Sequence, residues 1–290
     1  MNIQKMISRT PFCLLAWCAL AVAPASGQTI THVPLYTFDP DSTNVQSRSG
    51  VGSAGAGDVN GDGFDDLIVG TTGVSDGFAS GSARVFSGID GSALYTFVGD
   101  STSGAFGASV NGAGDVNGDG FDDLIVGDVS GNGSVWVYSG VNGSVLYNFD
   151  GDLTHHAFGG SVSGAGDVNG DGFDDLIVGD QNSSSNGILS GNARVYSGAN
   201  GSLLYNFDGD SVLEEFGRSV SGAGDVNGDG FDDLIVGARG DVISDTPGGY
   251  ARVYSGVNGH VLYNFDGDSS GDAVGTVSYT HLTLPTKRIV

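Results

Sequence analysis

Cysteine is almost missing from this chain: 290 residues carry two, Cys13 and Cys18. Both lie in a short apolar stretch, Phe12 to Ala23, behind Lys5 and Arg9 and ahead of the small residues Ala25, Ser26 and Gly27. Basic, then apolar, then small is the layout of a secretory signal peptide, so residues 1–27 are expected to be cleaved after Ala25 or Gly27. A retained membrane anchor is the alternative, but the stretch is short for a spanning helix. Phe12 and Trp17 precede the cysteines, where a lipoprotein signal would place a small residue. The mature chain is therefore expected to be secreted or on the cell surface, with no thiol, no disulfide and no membrane span. A secreted protein without disulfides needs another staple, and bound metal is one.

Basic residues are also scarce. Of ten, Lys5, Arg9, Lys287 and Arg288 lie near the ends, leaving six arginines against 34 acids in residues 28–276, a charge of 6 − 34 = −28. Such a surface repels nucleic acid, which is excluded as a partner. There are only six prolines, no composition shift and no helical periodicity, so no linker or helical domain divides 28–276. The final stretch, VSYTHLTLPTKRIV at 277–290, matches nothing earlier in the chain. It resembles the translated end of a transposon adapter and is expected to be a non-native tail on a truncated chain, a natural tail being the alternative.

What the chain has in abundance is glycine, aspartate and repetition. GAGDVNGDGFDDLIVG occurs four times without change, at 55–70, 112–127, 164–179 and 222–237. Its first aspartates fall at 58, 115, 167 and 225, spacings of 57, 52 and 58 residues, a period that signals a repeat architecture. In the third unit, SVSGAGDV at 161–168 is poor in side chains, as suits an innermost strand where backbones crowd. DLIVG, 175–179, is a continuous apolar run, expected for a strand buried on both faces. NARVYSG, 192–198, and SLLYNFDG, 202–209, flank Asn200-Gly201, read as a two-residue hairpin turn.

Four short antiparallel strands per repeat, arranged radially, make an all-β β-propeller. The units run over about 49–98, 105–149, 157–208 and 216–265, with a partial unit from 271, an incomplete ring of about four and a half repeats. Leu35-Tyr36-Thr37-Phe38-Asp39 reads as a lone fourth strand that completes a last blade and removes a sheet edge.

Each copy holds the loop D-x-N-x-D-G-x-x-D. Oxygens at alternate positions of a tight loop converge on one point, and calcium accepts six to eight of them. The candidate ligands are Asp58, Asn60, Asp62 and Asp66, with the carbonyl of Phe64. The equivalent sets are Asp115, Asn117, Asp119, Phe121 and Asp123; Asp167, Asn169, Asp171, Phe173 and Asp175; and Asp225, Asn227, Asp229, Phe231 and Asp233. Three carboxylates and an amide, without His or Cys, suit Ca2+ rather than zinc, about one ion per complete repeat. Asp65 and its counterparts, at loop position eight, are expected to face solvent. An EF-hand would need Glu at position twelve, where Val69, Val126, Val178 and Val236 stand. Metal-free Asp/Asn/Gly turns are the bland alternative.

With Phe106-Gly107, Phe158-Gly159 and Phe216-Gly217 ahead of these loops, the chain resembles FG-GAP repeat proteins, the blades of the integrin α-subunit propeller and its bacterial relatives. Val51-Gly52 and Val274-Gly275 depart from FG, and only Gly237-Ala238 approaches the GAP element. The resemblance implies calcium in hairpin loops on one face, ligand contacts from variable loops on the other, and a closed ring of seven blades. The variable segments here are 71–80, 128–133, 180–190 and 238–248.

The function expected is a non-enzymatic binding, adhesion or protein-interaction module that meets a protein or glycan ligand through these variable loops. Two alternatives stay open: the non-catalytic propeller portion of an extracellular polysaccharide-active enzyme, and a structural spacer of a surface protein. His155-His156 and Glu214-Glu215 are the only paired candidates for catalysis.

Overall fold

The computed structural model describes residues 48–73, 80–100, 105–152, 157–240, 248–268 and 275. The leader, Leu35–Asp39, His155-His156, the 277–290 tail and nearly all of the fifth unit fall outside these residues. Every described strand belongs to one of four four-stranded antiparallel sheets, each built from consecutive strands. The first sheet is β1 (Arg48–Gly57), β2 (Asp66–Thr72), β3 (Ser82–Phe86) and β4 (Ala93–Val98). The second is β5 (Phe106–Gly114), β6 (Asp123–Asp128), β7 (Ser134–Tyr138) and β8 (Val145–Asp150). The third is β9 (Phe158–Gly166), β10 (Asp175–Asp180), β11 (Asn192–Tyr196) and β12 (Leu203–Asp208). The fourth is β13 (Ser219–Gly224), β14 (Asp233–Ala238), β15 (Tyr250–Tyr254) and β16 (Val261–Asp266). These are propeller blades, and no helix is present among the described residues.

The innermost strands β1, β5, β9 and β13 pack side by side. Their Gly, Ala and Ser content is what lets four backbones approach one another. They line an open concavity with Asn111, Ser163 and the carboxylates of Asp65 and Asp122 at its wall.

The second strand of each blade explains the continuous apolar run. Along β6, Leu124 and Val126 join a core shared with the first blade, while Ile125 joins a core shared with the third. Along β10, Leu176 and Val178 face the second blade and Ile177 the fourth. Alternation is thus present, but both faces are buried between blades, so it cannot be seen as a polar/apolar pattern. The FG phenylalanines Phe106, Phe158 and Phe216 sit fully buried in the three inter-blade cores. Phe158 also carries the Arg194 guanidinium 5.4 Å above its ring. A Cβ on Gly179 would strike the carbonyl of Gly217, the FG glycine of the next blade, so strand and FG turn touch backbone to backbone.

One expectation differs from the structure. The β11–β12 hairpin is not a two-residue turn: Ser197 N donates to Ser202 O and Gly201 N to Ser197 O, both at 2.8 Å, enclosing four residues. Gly201 supplies the left-handed backbone, φ 70°, that this longer loop demands. The ring is not closed among the described residues, as the incomplete number of repeats leads one to expect. Phe64 on the first blade is 55% exposed and Tyr263 on the fourth 50%, whereas their counterparts within the array are half-buried against a neighbour.

Candidate metal centre

The nine-residue loops all join the first strand to the second, so the topology places them at one end of the blades. The hairpins between third and fourth strands lie at that same end. Segments 128–133 and 180–190 lie at the other.

Each loop is shaped by its own aspartates. Asp115 Oδ1 accepts N–H bonds from Gly118 and Asp119 at 2.7 and 3.0 Å, and its Oδ2 accepts from Gly120 at 2.9 Å. Asp119 Oδ1 accepts from Phe121 N at 3.1 Å. The third and fourth loops repeat this set through Asp167, Asp171, Asp225 and Asp229. In the first loop Asp58 accepts from Asp62 N and Gly63 N, and Asp62 from Phe64 N. The amides of Asn60, Asn169 and Asn227 accept the N–H of the aspartate two residues on.

The aspartate at position nine does a different job. Asp66, Asp123, Asp175 and Asp233 open the second strands and are completely buried. Asp123 Oδ2 accepts from Val116 N at 3.0 Å and its Oδ1 from Gly140 N at 2.9 Å, which ties the loop to the hairpin beyond the third strand. Asp66, Asp175 and Asp233 hold Val59 and Gly88, Val168 and Gly198, and Val226 and Gly256 in the same way.

Positions three and nine come together across the loop. Asn117 Nδ2 lies 3.2 Å from Asp123 Oδ2, and Asn169 and Asn227 lie 3.4 Å from Asp175 and Asp233. The carboxylates at one and five are close enough to act on the one at nine. Burial pushes the Asp123 and Asp175 carboxyls up from 3.8 to about 7, against the N–H bonds they accept. Repulsion from Asp119 and Asp115, and from Asp171 and Asp167, adds to it. Asp66 is raised by the same causes. Such a carboxyl is stabilised by a nearby positive charge, and hard oxygen donors with no nitrogen or sulfur fit a hard divalent cation. Among the described residues, no three His, Cys, Asp or Glu side chains stand close enough to form a finished cage. The loop oxygens are thus held by backbone N–H groups, short of a finished cage.

Position eight is expected to face solvent. That holds for Asp65, which is exposed, and fails for Asp122, Asp174 and Asp232, which are half-buried. Each reaches the loop of the preceding blade: Asp122 Oδ2 accepts from Asp58 N at 2.8 Å, and Asp174 and Asp232 accept from Asp115 N and Asp167 N at 2.9 Å. Beside them, the rings of Phe121, Phe173 and Phe231 cover Gly61, Gly118 and Gly170, where a Cβ would collide with the ring. The only sequence signal was the invariance of these letters among the copies, and it did not say which blade they serve.

Of the paired candidates for catalysis, only Glu214-Glu215 lies among the described residues. Glu214 is buried, with Oε2 on Ser211 N, and its carboxyl is raised chiefly by burial. Glu215 is ion-paired with Arg218 and Arg239.

Four-stranded blades in series, each with an acidic loop between its first two strands, define a β-propeller repeat protein. The FG-GAP repeat profile matches residues 50–86, 106–138, 158–196 and 216–254, and the chain belongs to that family. It is 28% identical over 207 residues to integrin alpha-V of Gallus gallus, covering 65% of this chain and 20% of that protein. It is 30% identical over 217 residues to integrin alpha-5 of Xenopus laevis, with the same shares, 65% and 20%. With integrin alpha-4 of Xenopus laevis it shares 32% over 162 residues, 50% of this chain and 15% of that one. The chain therefore spans about a fifth or less of the length of these relatives.

Proposed function

We propose that the chain is a calcium-stabilised propeller module of the extracellular space or cell surface, serving adhesion or protein interaction. The observation that carries the reading is the buried aspartate that opens each second strand, beside two further loop carboxylates and an amide. Family membership and the integrin α relatives support the interaction role, and the leader pattern supports export. Among the described residues no helix is long and apolar enough to cross a membrane.

Asp58, Asn60, Asp62 and Asp66, with their counterparts in the other three loops and the carbonyls of Phe64, Phe121, Phe173 and Phe231, would hold the ion. Calcium would supply the positive charge that lets the buried carboxyl ionise inside the blade. The protein's own part is to hold the hairpin ends. Asp123 fixes Gly140 N and Asp175 fixes Gly198 N, and a rigid hairpin end lets the segments at the far end, including 128–133 and 180–190, present a defined surface. A protein or glycan ligand would meet that surface. The chain reads as non-enzymatic.

Equilibrium dialysis with radioactive calcium tests the metal, and an array of matrix proteins and glycans tests the partner. About one ion per loop is expected. Changing Asp167 and Asp171 to Ala together should remove about one of them. A chain that binds no calcium and melts identically in chelator would end the reading.

A further inference from the structure

The loops are not independent of one another. Asp58 N donates to Asp122 Oδ2, and Asp122 N donates back to Asp58 O at 3.4 Å, so two residues in neighbouring blades hold each other by both backbone groups. Asp174 and Asp115 repeat this clasp, with 3.2 Å for the return bond, as do Asp232 and Asp167, with 3.3 Å. One partner in each clasp is the first candidate ligand of its loop. The other is the residue immediately before the last candidate ligand of the next loop.

Successive side chains at a strand start point to opposite sides. Asp174 therefore reaches the preceding blade while Asp175 turns into its own loop, and the two share one peptide unit. The preceding carbonyl, that of Phe173, is the position-seven candidate, and the Phe173 ring lies on Gly118 of the preceding loop. A second strut closes the frame: Tyr147 of the second blade donates to Gly198 O at 2.6 Å, and Gly198 N donates to Asp175. Tyr95 and Tyr205 do the same to Gly140 and Gly256.

We propose that Asp122, Asp174 and Asp232 are positioning residues that couple neighbouring loops, so that divalent cations bind cooperatively along the blades. Ordering 173–175 around an ion fixes Asp174, which fixes the backbone of Asp115 and leaves less to order when the second loop binds. In a repeat array such coupling acts between nearest neighbours. The inference rests on the cation reading of the loops. The chain carries its own control: Asp65 has the same letter and position, and no preceding blade to grip among the described residues.

Calcium-depleted protein is titrated with calcium, reading bound ions by dialysis and loop ordering by hydrogen exchange. The unmodified chain should bind with a Hill coefficient of about 2. Asp174→Ala, which leaves the Asp122 and Asp232 clasps, should lower it in part, and Asp122, Asp174 and Asp232 changed to Ala together should bring it to about 1 with the number of ions unchanged. Asp174→Asn, which keeps an acceptor, should retain most of the coupling, and Asp65→Ala should change nothing. A Hill coefficient of 1 in the unmodified chain, or one that Asp174→Ala leaves intact, overturns the proposal. If Asp174→Ala fails to fold, hydrogen exchange on the unmodified chain decides. Peptides covering the second and third loops that gain protection at one calcium concentration support coupling, and separated midpoints overturn it. Absence of any bound calcium refutes the cation reading itself, which is a different result from non-cooperative binding.

Discussion

Replacing Asp175 by Asn separates what this carboxylate does for the fold from what it would do for an ion. Asp175 is fully buried and accepts two backbone bonds, Val168 N on Oδ2 and Gly198 N on Oδ1, at 3.0 and 2.9 Å. Asn keeps one acceptor and turns an NH2 toward the other N–H, leaving a buried donor unpaired at a cost of about 1–3 kcal/mol. Against this stands a gain that depends on pH. The carboxyl is raised from 3.8 to about 7, so its contribution to the stability of the metal-free fold is fully present below about pH 4 and is lost as pH rises through about 7. Asn escapes that loss. In EDTA the variant should therefore be less stable than wild type at pH 4.5, where the hydroxyl oxygen of the protonated carboxyl still accepts weakly and the amide nitrogen does not accept at all, and closer to it at pH 7.5.

Calcium would add a separate increment. With a dissociation constant of about 10⁻⁴–10⁻³ M, as for extracellular modules, 10 mM calcium stabilises each occupied site by about 1.4–2.7 kcal/mol. A variant that cannot bind forfeits this increment whatever else the substitution does. The stability difference between wild type and Asp175→Asn at pH 7.5 should therefore widen by about 1.4–2.7 kcal/mol between EDTA and 10 mM calcium. Urea denaturation followed by circular dichroism measures it. An identical difference in both solutions would refute Asp175 as a ligand, and no cost in EDTA at pH 4.5 would refute the hydrogen-bond account.

Other outcomes test the joints between blades. Phe173→Ala should cost about 1–3 kcal/mol because its ring covers Gly118, while Phe64→Ala, with an exposed ring, should stay within about 0.5 kcal/mol, both by urea titration. Tyr147→Phe removes the bond to Gly198 O and should cost about 1 kcal/mol; Tyr263→Phe, half-exposed on the fourth blade, should cost nothing measurable in the same assay. Gly179→Ala drives a methyl into the Gly217 carbonyl and should lower stability by about 1–3 kcal/mol or abolish soluble expression, and an unchanged melting temperature would contradict that backbone contact.

Repetition and local chemistry were legible in the sequence by themselves. Sixteen-residue identity among copies gives the period, turn residues and short apolar runs give four strands per unit, and the aspartate spacing gives the loops, because all of these are encoded within one repeat. The buried run DLIVG could be read as double-sided burial without knowing what covers it. Only the tertiary structure decided that Leu176 and Val178 face one neighbour and Ile177 the other. It also decided that the two adjacent aspartates of FDD divide their work, Asp175 closing its own loop and Asp174 gripping the blade before it. Identical letters acquire different environments, as Asp65 and Phe64 show beside Asp174 and Phe173. The reason is physical: a hydrogen bond or ring contact to another blade depends on how blades stack around the axis, and four copies of one sequence contain the unit but not its neighbours.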